Sequence, residues 1–204
     1  MDTNQGYKNR ALANLDKAWA PAAIATLIFY VVTLAITYSI EFGIGSEYSL
    51  LATLITLPLS YGILVLFLDF ARGEKIENSK LFDGYKYGFQ RIFTTGLLQL
   101  IYTVLWYLLL IIPGIIKSYS YSMTYYILKD NPELKNNAAI EKSMQMMDGH
   151  KMDLFILDLT FIGWSLLSAL TLGIGFLWLN PYTNAAHAAF YRQLQVENQY
   201  TSYE

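Results

Sequence analysis

Two stretches of the chain, Trp19–Ile40 and Tyr48–Leu68, contain no Asp, Glu, Lys, Arg or His. Each meets the roughly 20 apolar residues a helix needs to cross a hydrocarbon layer about 30 Å thick. Two further apolar runs are much longer. Ile92–Leu128 carries one charge, Lys117, and Leu154–Tyr191 carries one acid, Asp158, and one histidine, His187. A straight helix of either length would extend about 55 Å, nearly twice that thickness, so each run must turn back. Pro113-Gly114 in the first run and Gly173-Ile174-Gly175 in the second are the expected breaks. Asn180-Pro181 is expected to kink the returning helix. The pattern therefore predicts an all-α, polytopic transmembrane bundle of six spans, arranged as three helical hairpins. The spans are expected near 19–40, 48–68, 92–112, 115–129, 153–172 and 175–194. Four spans with re-entrant segments is the rival arrangement.

Between the runs, apolar residues recur at helical spacing: Tyr7, Ala11, Leu15 and Ala18, then Leu81, Tyr85 and Phe89, then Ile140, Met144 and Met147. Lys, Arg, Asp and Asn occupy the opposite faces. These segments read as short cytoplasmic helices lying in the headgroup plane, with a surface for a soluble partner as the alternative.

Charge orients the bundle. With six spans and the N-terminus inside, thirteen of the fourteen Lys and Arg residues fall on one side, Lys117 being the exception. Basic residues in short loops mark the cytoplasmic side, so both ends are expected there. The first apolar run is too long for a signal-peptide core and reads as an uncleaved span.

Composition adds limits. The chain has 204 residues, 54% of them apolar, positive mean hydropathy and a net charge of -2, which together favour the lipid bilayer as partner and give no basic field for nucleic acid. Zero cysteines exclude disulfides and thiolate metal sites. No cofactor motif, phosphate-cradling loop or nucleophile elbow occurs, and the spacing of Asp148, His150 and Asp153 matches no closed metal site.

The chain reads as one integral membrane domain, 1–204, comprising a cytoplasmic amphipathic segment (1–18), a first hairpin (19–70) and two repeat-like units (76–129 and 133–194). Asp83-Gly84-Tyr85-Lys86 and Asp148-Gly149-His150-Lys151 head these units, and a Trp precedes each Gly turn. Convergence on the needs of any inside-start hairpin explains the similarity equally well.

Leu81-Phe82-Asp83-Gly84-Tyr85, the run Leu110 to Tyr121 through Pro113-Gly114-Ile115-Ile116-Lys117, Asp130-Asn131-Pro132, and Ser143 to Lys151 form a familiar set. Phe161-Ile162-Gly163-Trp164, Leu172-Gly173-Ile174-Gly175 and Asn180-Pro181-Tyr182 extend it. From about Ala11 to Gln193 the chain resembles the bacterial integral membrane family known as domain of unknown function 975. The resemblance implies a bacterial inner-membrane protein with several spans, and it supplies no catalytic residues.

The candidate functional residues are the polar ones in apolar surroundings, because charge in hydrocarbon is expensive. Lys117 is expected to snorkel to the headgroups, with a solute or lipid-phosphate contact as the alternative. Asp158 is expected to pair with a Lys or Arg of a neighbouring helix, with a proton relay as the alternative, and Asp69 with Arg72 one turn away. Gln99, Asn180 and His187 are expected to join helices. Ser118-x-x-x-Ser122 and Ala185-x-x-x-Ala189 are expected seams of close approach. The favoured function is a non-enzymatic accessory or envelope-maintenance component, with a membrane or cytoplasmic protein, or a second copy, as partner. The alternative is a transporter or channel for a small solute or lipid.

Overall fold

The structure, a computed structural model, describes residues 3–201, and every regular element among them is helical. The chain order is α1 (Asn4–Leu15), α2 (Trp19–Gly43), α3 (Ser49–Ala71), α4 (Asp83–Lys86), α5 (Phe89–Leu109), α6 (Ile111–Tyr121), α7 (Thr124–Asp130), α8 (Asn137–Met146), α9 (Lys151–Leu170) and α10 (Phe176–Thr201). Four helices are long and apolar enough to cross a membrane: α2, α3 with the turn before it, α5 and α9.

Two helices form the centre. α3 packs against α2, α5, α7 and α10, and α10 packs against α1, α2, α3 and α9. Ala185, Ala186, Ala188 and Ala189 of α10 are buried, so the Ala-x-x-x-Ala seam lies inside the bundle as expected.

The apolar stripe of α1 does not face lipid headgroups. Tyr7, Ala11 and Leu15 are fully buried, α1 lies on α10, and the Tyr7 ring meets Phe190 edge-on at 5.2 Å. Protein covers this stripe because α10, studded with small residues, leaves room for a helix to lie along it.

The segment after α3 also departs from expectation. Rather than lying flat, a 3-10 turn (Asn78–Phe82) and α4 run back along α3. A Cβ on Gly62 would stand 2.0 Å from the Leu81 carbonyl oxygen, and one on Gly84 would stand 2.3 Å from that of Pro58. Only glycine permits these backbone contacts. The Tyr85 hydroxyl donates to the Ile55 carbonyl of α3 at 2.5 Å, a further tie between the two segments.

The first long run reverses at Leu110, which is extended (φ -158, ψ 139), rather than at Pro113-Gly114. Pro113 fits inside the first turn of α6, where no backbone N–H is needed. Gly114 lets α6 lie against Tyr107, whose Cδ1 would stand 2.6 Å from an added Cβ. The second run turns where its glycines predict: Leu172 and Gly173 take positive φ (55 and 86) and α10 begins at Phe176, with Pro181 inside it. The two Asp-Gly elements differ: Gly84 is helical and packed, whereas Gly149 is open with φ 80.

Beyond α6 the helix breaks at Ser122-Met123, and α8 repairs the break. The Ser143 hydroxyl donates to the Ser120 carbonyl at 2.8 Å and accepts from the Met123 N–H at 3.2 Å. Irregular backbone away from water survives only where protein satisfies it in this way.

Gly62→Ala is expected to lower the unfolding midpoint in detergent by the equivalent of about 1–3 kcal/mol, the usual effect of overpacking. Gly163→Ala, whose Cβ meets nothing within 4 Å, is expected to leave the midpoint unchanged or raise it. Comparable midpoints for the two variants would refute the packed path along α3.

Candidate functional site

The candidate polar residues form separate couples rather than one site. Asp158 of α9 accepts from the Tyr119 hydroxyl of α6 at 3.0 Å, and its other oxygen lies 2.6 Å from His187 Nε2 of α10. No Lys or Arg takes part, contrary to expectation: α6 and α10 present Tyr119 and His187 at this level. With Nε2 protonated, His187 donates to the carboxylate, so the triad holds a proton between α9 and α10 and joins three helices.

Asn180, two turns from His187 along α10, instead donates through its Nδ2 to the Tyr30 hydroxyl of α2. Lys117 places its ammonium 5.1 Å from the centre of the Trp106 ring, a cation–π contact across the Leu110 reversal. Gln99 has a buried side-chain oxygen without a hydrogen-bond partner among the described residues.

Asp69 is 3% exposed and does not pair with Arg72. Its carboxylate lies 3.0 Å from Lys80 Nζ and 3.3 Å from Lys129 Nζ. The segment that doubles back along α3 delivers Lys80, and α7 delivers Lys129, so tertiary partners displace the local pair. Burial works against the Lys80 ammonium, but bonds to Glu74 and Asp69 outweigh it and raise its pKa.

Arg72 goes to Asp130, which sequence reasoning passed over. Both terminal guanidinium nitrogens, Nη1 and Nη2, donate to the carboxylate, at 2.7 and 2.6 Å, and Tyr191 and Gln195 of α10 donate to it at 2.9 and 2.6 Å. Arg91 donates to the Leu128, Asn131 and Leu134 carbonyls, and Lys142 to the Asn131 side chain. The end of α7 is thereby fastened to α3, α5, α8 and α10. The only signal in the sequence was Asp130-Asn131-Pro132, a charge followed by a helix-stopping pair.

Residues 108–198 match the profile of the family described as Protein of unknown function (DUF975). This part of the chain is a DUF975 domain. It runs from the last turn of α5 through most of α10, a shorter stretch than the resemblance from Ala11 to Gln193 implied. The DUF975 segment contains Lys117, Tyr119, Asp130, Asp158, Asn180 and His187, while Asp69, Gln99 and Arg72 lie outside it. No curated protein and no solved structure matches the chain.

Among the described residues no group of three or more His, Asp or Glu could hold a metal ion. Burial alone would raise the Asp130 carboxyl, but bonds from Arg72, Tyr191 and Gln195 overcome that and hold it below its ordinary 3.8. A carboxyl depressed by folding contributes stability that is complete above its unfolded pKa and is lost as pH falls through the folded value. Asp130→Asn is therefore expected to lower stability at neutral pH by about 2 kcal/mol. The difference from the unsubstituted protein should shrink once the pH drops below 3.8. Unfolding midpoints across that range check both statements.

Proposed function

We propose that the chain is a multi-span, non-enzymatic component of a bacterial cytoplasmic membrane, an accessory or envelope-maintenance protein acting through helix packing and its cytoplasmic face. In this reading α2, α3, α5, α6 with α7, α9 and α10 make six crossings as three hairpins, and both ends are cytoplasmic. The observation that carries the functional part is the dispersal of the polar residues. Asp158 with His187 and Tyr119, Asn180 with Tyr30, Lys117 with Trp106, and Asp69 with Lys80 and Lys129 are four couples, each satisfied where it stands. A solute path would need such groups to converge on one aqueous cavity.

Transport of a small solute remains the second reading, favoured by the Asp158–His187 couple, which has the composition of a proton relay. The two separate in proteoliposomes holding a pH-sensitive dye. The accessory reading expects proton leak equal to that of protein-free vesicles, for the unsubstituted chain and for Asp158→Asn alike. Leak that appears with the unsubstituted chain and disappears with Asp158→Asn would replace it with transport.

A further inference from the structure

A cavity of about 660 Å³ opens where α1, the end of α3 and the last third of α10 meet. Its wall holds Arg10 of α1, Arg72 directly after α3, and Arg192 of α10, while the small side chains of Ala13, Ala71 and Ala189 leave the space clear. Among the described residues no Asp or Glu lines it, so an entering anion meets no like charge on the wall.

The basic residues of this wall are all of one kind. The sequence has four arginines and ten lysines; three of the four arginines line the cavity and none of the ten lysines does. A basic flank that serves only to orient a membrane protein can use either residue. Guanidinium in place of ammonium suits contacts that need a planar fork of N–H donors, and the oxygens of a phosphate are matched by such a fork two at a time.

Two of these groups are held in position by the fold itself. Arg72 is fixed by its paired bonds to Asp130 and a third to the Gln195 side chain at 3.3 Å. Arg192 donates through Nη1 to the carbonyl of Ala71, the last residue of α3. Asp130 neutralises Arg72, but the Ala71 carbonyl carries no charge, and among the described residues no carboxylate pairs with Arg192. A side chain already anchored loses less freedom when a ligand binds.

We propose that this cavity binds a phosphate ester, its phosphate held by the guanidinium groups of Arg10 and Arg192. The cavity lies beside the end of α3, a helix long and apolar enough to cross a membrane, so a dissolved ester and a lipid headgroup can both present a phosphate at this level. The two sources share the chemistry that the arginines recognise. The assignment requires neither the accessory reading nor the transport reading.

The unfolding midpoint of the full-length protein in detergent is followed in two arms. Glycerol 3-phosphate is added at constant ionic strength against potassium chloride, and phosphatidic acid replaces phosphatidylcholine in mixed micelles. A ligand that binds only the folded state raises the midpoint with its concentration. A rise with glycerol 3-phosphate supports a dissolved ester; a rise with phosphatidic acid alone supports a lipid headgroup. In either case Arg192→Gln and Arg10→Gln are each expected to weaken the apparent affinity about tenfold, the scale of one charged hydrogen-bonding contact. Arg10 is exposed on α1, so its replacement keeps the fold even if loss of the Arg192 bond to α3 does not. Arg10→Lys should not restore the affinity, and Lys86→Gln, which removes a cation outside the cavity, should leave it unchanged. No rise with either ligand, a rise that survives Arg10→Gln, or equal weakening by Lys86→Gln overturns the assignment.

Discussion

Hydrocarbon offers no hydrogen-bond partners, so backbone and charged groups at membrane depth depend on protein for theirs, and much of the packing of this bundle follows from that constraint, although the Gln99 oxygen is left without a partner among the described residues. Four helices are apolar enough to be tolerated alone. The remaining long segments are not. α6 and α7 form a broken helix, and α10 carries Asn180 and His187; each is matched to groups on other elements. Ser143 completes the backbone at the break, Asp158 engages His187, and Tyr30 receives Asn180. These polar matches dictate neighbours in a way that lipid-like side chains cannot, since one leucine surface packs on another without preference.

The same principle operates at the charged face. The end of α7 leaves carbonyls without intrahelical donors, and Arg91 collects three carbonyls there in one guanidinium. Asp130, at the same point, draws Arg72 from the end of α3 and two side chains from α10. A seven-residue helix too short to be stable alone thus becomes the knot between the two halves of the chain. Charge-assisted and bidentate bonds suit that task because their geometry is restrictive as well as strong. A knot of this kind disfavours sliding of α3 against α10.

What the sequence reveals and what it hides follow from the range of each interaction. Apolar runs fix α2, α3, α5 and α9 to within a few residues because length and hydropathy are local properties, and Gly173 marks its turn because the backbone there takes positive φ. Pro113-Gly114 misplaced the first reversal because its proline is acceptable in a first helical turn and its glycine serves close packing on Tyr107. The Tyr7, Ala11 and Leu15 stripe was correctly apolar, yet periodicity says which face is greasy and not what covers it. At the candidate sites, Asp69 was assigned its nearest cation in sequence, whereas Lys80 and Lys129 arrive from distant segments. Tyr119 and Tyr30 were legible only as apolar ring surface, since a hydroxyl declares its partner only in three dimensions.

The polar residues of the 108–198 segment join helices: Asp158 ties α9 to α6 and α10, and Asn180 ties α10 to α2. The most direct test is a double-mutant cycle on Asp158 and His187, with Asp158→Asn, His187→Ala and the double variant compared by unfolding midpoint in detergent. The account predicts coupling of about 0.6 kcal/mol or more, the average found for interhelical hydrogen bonds by such cycles, with about 1.7 kcal/mol as the upper end. Strictly additive effects would contradict it, because the two side chains would then contribute nothing to each other.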